Sequence, residues 1–352
     1  MFTDSYTCRY RAEVPPSTST TTESLRSEFG SAPASDVQAS AQVQARVDDI
    51  LRPVGALARL DEVAVWLAGW QRTETPAVSS PAAVIFAADH GVVAEGVSAY
   101  PAEVTGAMLA AFEASKASVS ALASVAGATV SAIDVGVGSP TGNLRIEPAL
   151  SPERFAECFA AGRAAVAELD TDLLIVGEMG IGNTTAAAAV CAAILGSDAT
   201  PFVGRGTGVD DVALASKAAV VADAVVRIAD VTDPLEILRE VGGAELVAMT
   251  GALFEARMRS IPVLLDGYIA TSPALVLHAI DPDLIDNCWA GHCSAEPGHR
   301  VVLDHLGRTP LLTLDMRLGE ASGAMAAVPL VKMACALVTD VPTFGEWFGP
   351  GD

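Results

Sequence analysis

Residues 177–185, Gly-Glu-Met-Gly-Ile-Gly-Asn-Thr-Thr, carry the densest chemistry in the chain. They follow four apolar residues suited to a buried strand (173–176) and precede an alanine run that reads as helix. Strand, glycine turn and helix N-terminus together direct backbone N–H groups and the positive end of a helix dipole at an anion. Thr184 or Thr185 is expected to cap that helix. Gly177 to Thr184 also imitates a P-loop, but Asn183 stands where the lysine belongs. Without that lysine nothing reaches a terminal phosphate, which argues against nucleoside triphosphate hydrolysis, and a phosphate monoester fits better. The carboxylate of Glu178 lies inside the turn and would repel a phosphate unless it faces another part of the substrate. A ligand-free βα turn is the alternative for this stretch taken alone.

Other candidates are scattered. Lys217 lies a short helix beyond the Gly204–Gly208 turn, in a region with few bases. It either supplies the strong positive charge for a phosphate or is a solvated surface lysine. Glu320, between Gly319 and Ala321, follows an expected strand at 311–315 and is placed to face a pocket, or else to sit favourably near a helix N-terminus. Asp89 and His90 end the first expected strand, where open α/β sheets keep their ligands. His292, His299 and His305 cluster around Cys293, yet no zincin spacing or Cys-His quartet appears, so no metal site is assigned. Gly136, Gly138 and Gly142 fail the dinucleotide spacing, with Pro140 inside it.

These residues need a scaffold. The chain has 352 residues, of which 51% are hydrophobic and 5% aromatic, so Ala, Val and Leu build the core of one large α/β unit or one plus a smaller partner. A formal net charge of −22 opposes binding to nucleic acid or anionic membranes. Six cysteines without a Cys-x-x-Cys pair, and no secretory segment, fit a reducing cytoplasm. The longest apolar stretches, such as 186–195, look too short to span a bilayer. Residues 1–36 read as a disordered Ser/Thr/Pro-rich leader. Two helices are expected within 37–71, a strand at 83–88, one long helix from Pro101 to Leu122, and further strands at 129–135, 173–176, 261–266 and 311–315. Apolar strands separated by helix-length segments indicate a parallel sheet with helices on both faces. A last apolar helix at 323–338 is expected to rejoin the N-terminal helices.

Seven blocks now fall into one order: AADHGV (87–92), EGVSAYP (95–101), GEMGIGNTT (177–185), GRGTGVDD (204–211), LLDGYIAT (264–271), SAEPGH (294–299) and RLGEASGA (317–324). In these the chain resembles the nicotinate-nucleotide:dimethylbenzimidazole phosphoribosyltransferase family over roughly 37–338. Ala321 and Ser322 stand where Gly and Thr are expected, and Cys293 is unusual in its block. The resemblance implies a Rossmann-like α/β domain (81–322) and a small helical domain from both chain ends (37–80 and 323–352). It also implies a homodimer and no cofactor or metal. Its substrates would be nicotinate mononucleotide and 5,6-dimethylbenzimidazole. Among alternatives are a relative using adenine or a phenolic base and a non-catalytic nucleotide sensor. By residue, the resemblance makes Glu320 the general base and puts Glu178 near the reacting groups. It places the nucleotide against Gly180, Gly182, Asn183, Thr184, Lys217, Gly206 and Asp211, and the acceptor base near Asp89, His90, Ser98 and Leu318.

Overall fold

The structure, a computed structural model, describes residues 28–349 apart from 197 and 207. In chain order the elements are α1 (Val37–Asp49), α2 (Arg59–Gln71), β1 (Pro81–Ala88), α3 (Val104–Glu113), α4 (Ser118–Ala126), β2 (Thr129–Gly136), α5 (Pro152–Ala167) and β3 (Leu173–Met179). They continue with α6 (Asn183–Leu195), α7 (Asp211–Arg227), α8 (Pro234–Val241), α9 (Ala244–Met258), β4 (Val263–Leu265), α10 (Tyr268–Ile280), β5 (Cys288–Ala290), α11 (Pro297–His305), α12 (Ser322–Thr339) and α13 (Phe344–Phe348). The five strands form one parallel sheet in the order β2-β1-β3-β4-β5. The chain reverses its direction of travel between β1 and β3, and the crevice at their carboxyl ends is where such sheets bind ligands. The registers Ile85↔Gly177 and Phe86↔Glu178 bring the glycine turn alongside the end of β1.

Side chains that alternate along a strand go to opposite faces, and the two apolar clusters obey this. Val84, Phe86, Leu174, Val176, Val263 and Leu265 share one cluster with residues of α5, α6, α9 and α10. Ala83, Ile85, Leu173, Ile175 and Leu264 share the other with α1, α2, α4 and α12. All eight residues of β1 are buried, as a strand covered on both faces requires. The helices from the two chain ends therefore pack on one another and share a core with one face of the sheet.

Several expectations change. The single helix from Pro101 to Leu122 is two helices, broken where Ser115 turns left-handed (φ 54°). The strand expected at 311–315 is absent; only Leu312 makes an isolated bridge, to His292. One edge of the sheet is instead β5, three residues whose Cys-Trp-Ala composition gives little strand signal. Neither Thr184 nor Thr185 caps α6, because the N-cap is Gly182 at φ 95°, a conformation glycine adopts readily. The leader expected over 1–36 lies outside the described residues as far as 27. Beyond it Phe29 is buried edge-on against Phe254, Glu28 pairs with Arg163, and Asp36 caps α1. Helix α12 is, among the described residues, the one long and apolar enough to cross a membrane. Its Ala324, Val328 and Val331 are fully buried in the same cluster as α2 and α4, which makes it a core helix.

Candidate active site

A cavity of about 690 Å³ opens at the carboxyl ends of the central strands. One side is polar, with Glu178, Gly180, Asn183, Thr184, Gly206 and Glu296; the other is apolar, with Tyr100, Val104, Met108, Leu122, Ile181 and Leu318.

On the polar side the glycines allow close approach. A Cβ on Gly180 would lie 2.7 Å from the Ala88 carbonyl, and one on Gly206, itself left-handed, 3.1 Å from Thr184 Oγ1. Lys217 is buried, not solvated: its Nζ donates to Thr184 Oγ1 (2.7 Å) and the Gly204 carbonyl (3.2 Å). Burial lowers its pKa to about 8, with the nearby Glu296 carboxylate opposing the shift. A cation with no anion bonded to it among the described residues, one side chain behind a glycine turn at a helix N-terminus, suits a phosphate. The Gly206 N–H donates to Glu296 Oε1 (3.0 Å), and Arg317 donates to the Gly206 carbonyl (3.3 Å). Asp211 is not brought to the cavity; in the first turn of α7 it pairs with Arg205, its side chain 87% exposed.

The carboxylates meet where β3 ends. Glu178 is the penultimate residue of β3, not part of the turn, and accepts a hydrogen bond from Asn183 Nδ2. Burial raises its pKa to about 8; Asn183 opposes this, while Asp266, Glu245 and Glu320 add repulsion. Glu320 is also buried, which raises its pKa to about 7 with help from Asp266. Its Oε2 has no hydrogen-bond partner among the described residues. Gly319, Glu320 and Ala321 are consecutively left-handed (φ 83°, 60° and 64°), two of them at the steric cost of a Cβ. A Cβ on Gly319 would fall 2.2 Å from Glu178 Oε1, and one on Gly177 2.7 Å from the Ala321 nitrogen. The two glutamates are thus pressed together by glycines on both strands of chain.

Of the expected base-pocket residues only Leu318 lines the cavity. Asp89 accepts the Gly138 N–H (2.8 Å), so those glycines close a turn on β1. The Ser98 hydroxyl accepts the Tyr100 N–H (3.2 Å), and His90 is buried against Glu245. Sequence reasoning missed Glu296, Asp266 and Glu245, although the first two lie in blocks that carried the resemblance. In the histidine cluster, His299 Nδ1 accepts the Ser294 N–H (2.9 Å) and Nε2 lies 3.0 Å from Thr271 Oγ1. Both its nitrogens are engaged, and burial lowers its pKa to about 3.

A family model described as phosphoribosyltransferase matches residues 32–347. The chain is 47% identical over 326 residues to nicotinate-nucleotide–dimethylbenzimidazole phosphoribosyltransferase of Methylorubrum extorquens, covering 92% of this chain and 95% of that protein. It is 45% identical over 323 residues to the enzyme of the same name from Cereibacter sphaeroides, with the same coverage. Among solved structures it is similar to CobT from Thermus thermophilus, at TM-score 0.85 and 42% identity over 90% of this chain and all of that one. With the glycine turn and the paired glutamates lining one cavity and the buried lysine bonded to Thr184 behind it, the chain belongs to the nicotinate-nucleotide–dimethylbenzimidazole phosphoribosyltransferase family.

Proposed function

We propose that this protein transfers the phosphoribosyl group of nicotinate mononucleotide to 5,6-dimethylbenzimidazole, giving α-ribazole 5′-phosphate and nicotinate for the lower nucleotide of cobalamin. The observation that carries the mechanism is the pair of buried carboxylates, Glu178 and Glu320, facing one cavity beside a glycine turn backed by Lys217. The ring nitrogen of the donor is already a pyridinium, so it departs as a neutral pyridine without protonation. As that bond stretches, positive charge grows at the ribose anomeric carbon. Glu178, once ionised, stabilises that charge from a buried position at the end of β3. The cationic donor itself favours the ionised form, which burial alone disfavours.

The acceptor attacks through one nitrogen from the opposite face, which inverts the anomeric centre. Its second nitrogen then becomes acidic, and Glu320 removes that proton. Burial suits Glu320 to this role by making its carboxylate more basic, with a pKa near working pH. The phosphate lies against Gly180, Asn183, Thr184 and Gly206, with Lys217 behind; Gly182, which does not line the cavity, caps the helix that carries Asn183 and Thr184. The aromatic base lies along Met108, Leu122 and Leu318. The fold works as a homodimer in a reducing cytoplasm in this reading. Buried thiols at Cys158, Cys191, Cys288 and Cys335, pushed up to about 12, support a reduced state. Exposed Trp347 and Phe348 offer apolar surface for a partner. Incubation with both substrates and detection of the α-nucleotide by mass tests the reading. Consumption of the donor without a new nucleotide would refute it.

A further inference from the structure

One buried polar pair near the site has no part in the chemistry above. His90 Nε2 lies 2.7 Å from Glu245 Oε1, and both side chains are fully shielded from solvent. The pair is costly to bury, since His90 Nδ1 and Glu245 Oε2 have no hydrogen-bond partners among the described residues. A buried polar pair with unsatisfied atoms is a weak stabilising device, because apolar residues of similar size would serve as well. Its location suggests a different use. The imidazole is clamped between two glycines: a Cβ on Gly180 would lie 3.1 Å from His90 Nε2, and one on Gly243 2.3 Å from His90 Cε1. Gly182 also rests on His90, with a Cβ there 3.5 Å from the His90 Cβ. Gly243 is the N-cap of α9 and Glu245 sits in that helix's first turn. The ring therefore forms the floor under the glycine turn, and α9 holds the floor in place.

We infer that His90 and Glu245 are positioning residues for the transfer, setting the height of the Gly180–Gly182 turn against the nucleotide phosphate. The inference rests on the proposed reaction, since it assigns the pair a task within that site. Glu245 also acts at a distance on Glu178, adding to the repulsion from Asp266 and Glu320 while Asn183 opposes it. The pair thus serves both the phosphate and the reacting carboxylate.

Steady-state kinetics of four variants test this. His90→Ala removes the floor, and the KM for nicotinate mononucleotide rises about tenfold to a hundredfold, as displacement of a binding group by about an ångström does. His90→Gln restores most of that loss, because its amide nitrogen takes the place of Nε2, whereas His90→Asn does not. Glu245→Gln keeps the hydrogen bond but removes a charge. It leaves the KM near that of the unaltered enzyme and moves the acidic limb of kcat/KM to lower pH by about half a unit or more. If His90→Ala does not fold, the contrast between Gln and Asn decides the matter. Unchanged KM and pH profile in these variants, or a loss confined to the yield of folded protein, overturns the inference. Transfer by the unaltered enzyme with unmoved variants refutes the pair alone, whereas no transfer by the unaltered enzyme refutes the reading beneath it and the pair with it.

Discussion

The two halves of the cavity are built by different means. The half proposed for the phosphate is main chain and glycine, with Gly180 and Gly206 letting backbone and Lys217 come close. The half proposed for the base is side chain, an apolar lining assembled from Tyr100, Met108, Leu122 and Leu318 on separate elements. Between them Glu178 and Glu320 share a strained seam at 319–321. The contrast teaches that fixed recognition of a phosphate needs rigid backbone, while an aromatic acceptor needs only shape and a proton sink. A change in one half should then leave the other's ligand largely alone.

The seam gives the largest expected effect. Glu320→Gln lowers turnover about a hundred- to ten-thousandfold while the nucleotide still binds; near-normal turnover would remove Glu320 from the mechanism. Lys217→Ala weakens nucleotide affinity by about 1.5–3 kcal/mol, the range for hydrogen bonds to charged groups, and leaves the KM for the base unchanged. Calorimetry with the nucleotide alone checks this, and unchanged affinity would dissolve the distinction between the halves.

The pH profile probes the seam without mutation. Burial disfavours both anions, so the ionised forms are gained as pH rises, Glu320 through about 7 and Glu178 through about 8. kcat/KM is expected to fall at least about tenfold per unit of pH below 7. A flat profile from pH 5.5 to 8.5 would contradict the assignment. Met108→Ala trims the apolar wall and raises the KM for dimethylbenzimidazole by the equivalent of about 1–2 kcal/mol, leaving nucleotide affinity intact.

The smallest effect is on stability. Glu178 holds its proton up to about pH 8 in the folded chain but loses it at the ordinary carboxyl pKa when unfolded. Stability therefore falls as pH rises through that window. Glu178→Gln removes the penalty, so its melting temperature gains about 3 °C more at pH 8.5 than at pH 5, where the native side chain is already neutral. Equal gains at both pH values would mean that Glu178 ionises normally.

The same contrast explains what the sequence made legible. The glycine turn, the strand before it and the helix after it were readable because each depends on local residue types within 173–190. The parallel sheet was readable from the apolar runs at β1 and β3, which bury both faces. The base wall was not, since Met108 and Leu122 look like any helical core residue until the sheet brings them to Leu318. Asp89, His90 and Ser98 were placed by motif, yet Asp89 and Ser98 hold turns and His90 meets a partner 155 residues away. Burial of Lys217 was equally hidden, because it depends on Thr184 and Gly204 folding over it. The seam at 319–321 announced itself only as a glutamate between two small residues, and its left-handed backbone is a tertiary outcome.

Helix α12 begins one residue after Ala321 and is packed along α2 and α4. Glu320 is consequently anchored by an element that docks onto helices made a few hundred residues earlier. On the ribosome, the carboxylate proposed to accept the proton is among the last parts of the cavity to be fastened. In the proposed reaction, a growing chain has therefore made the glycine turn at 177–185 more than a hundred residues before its general base.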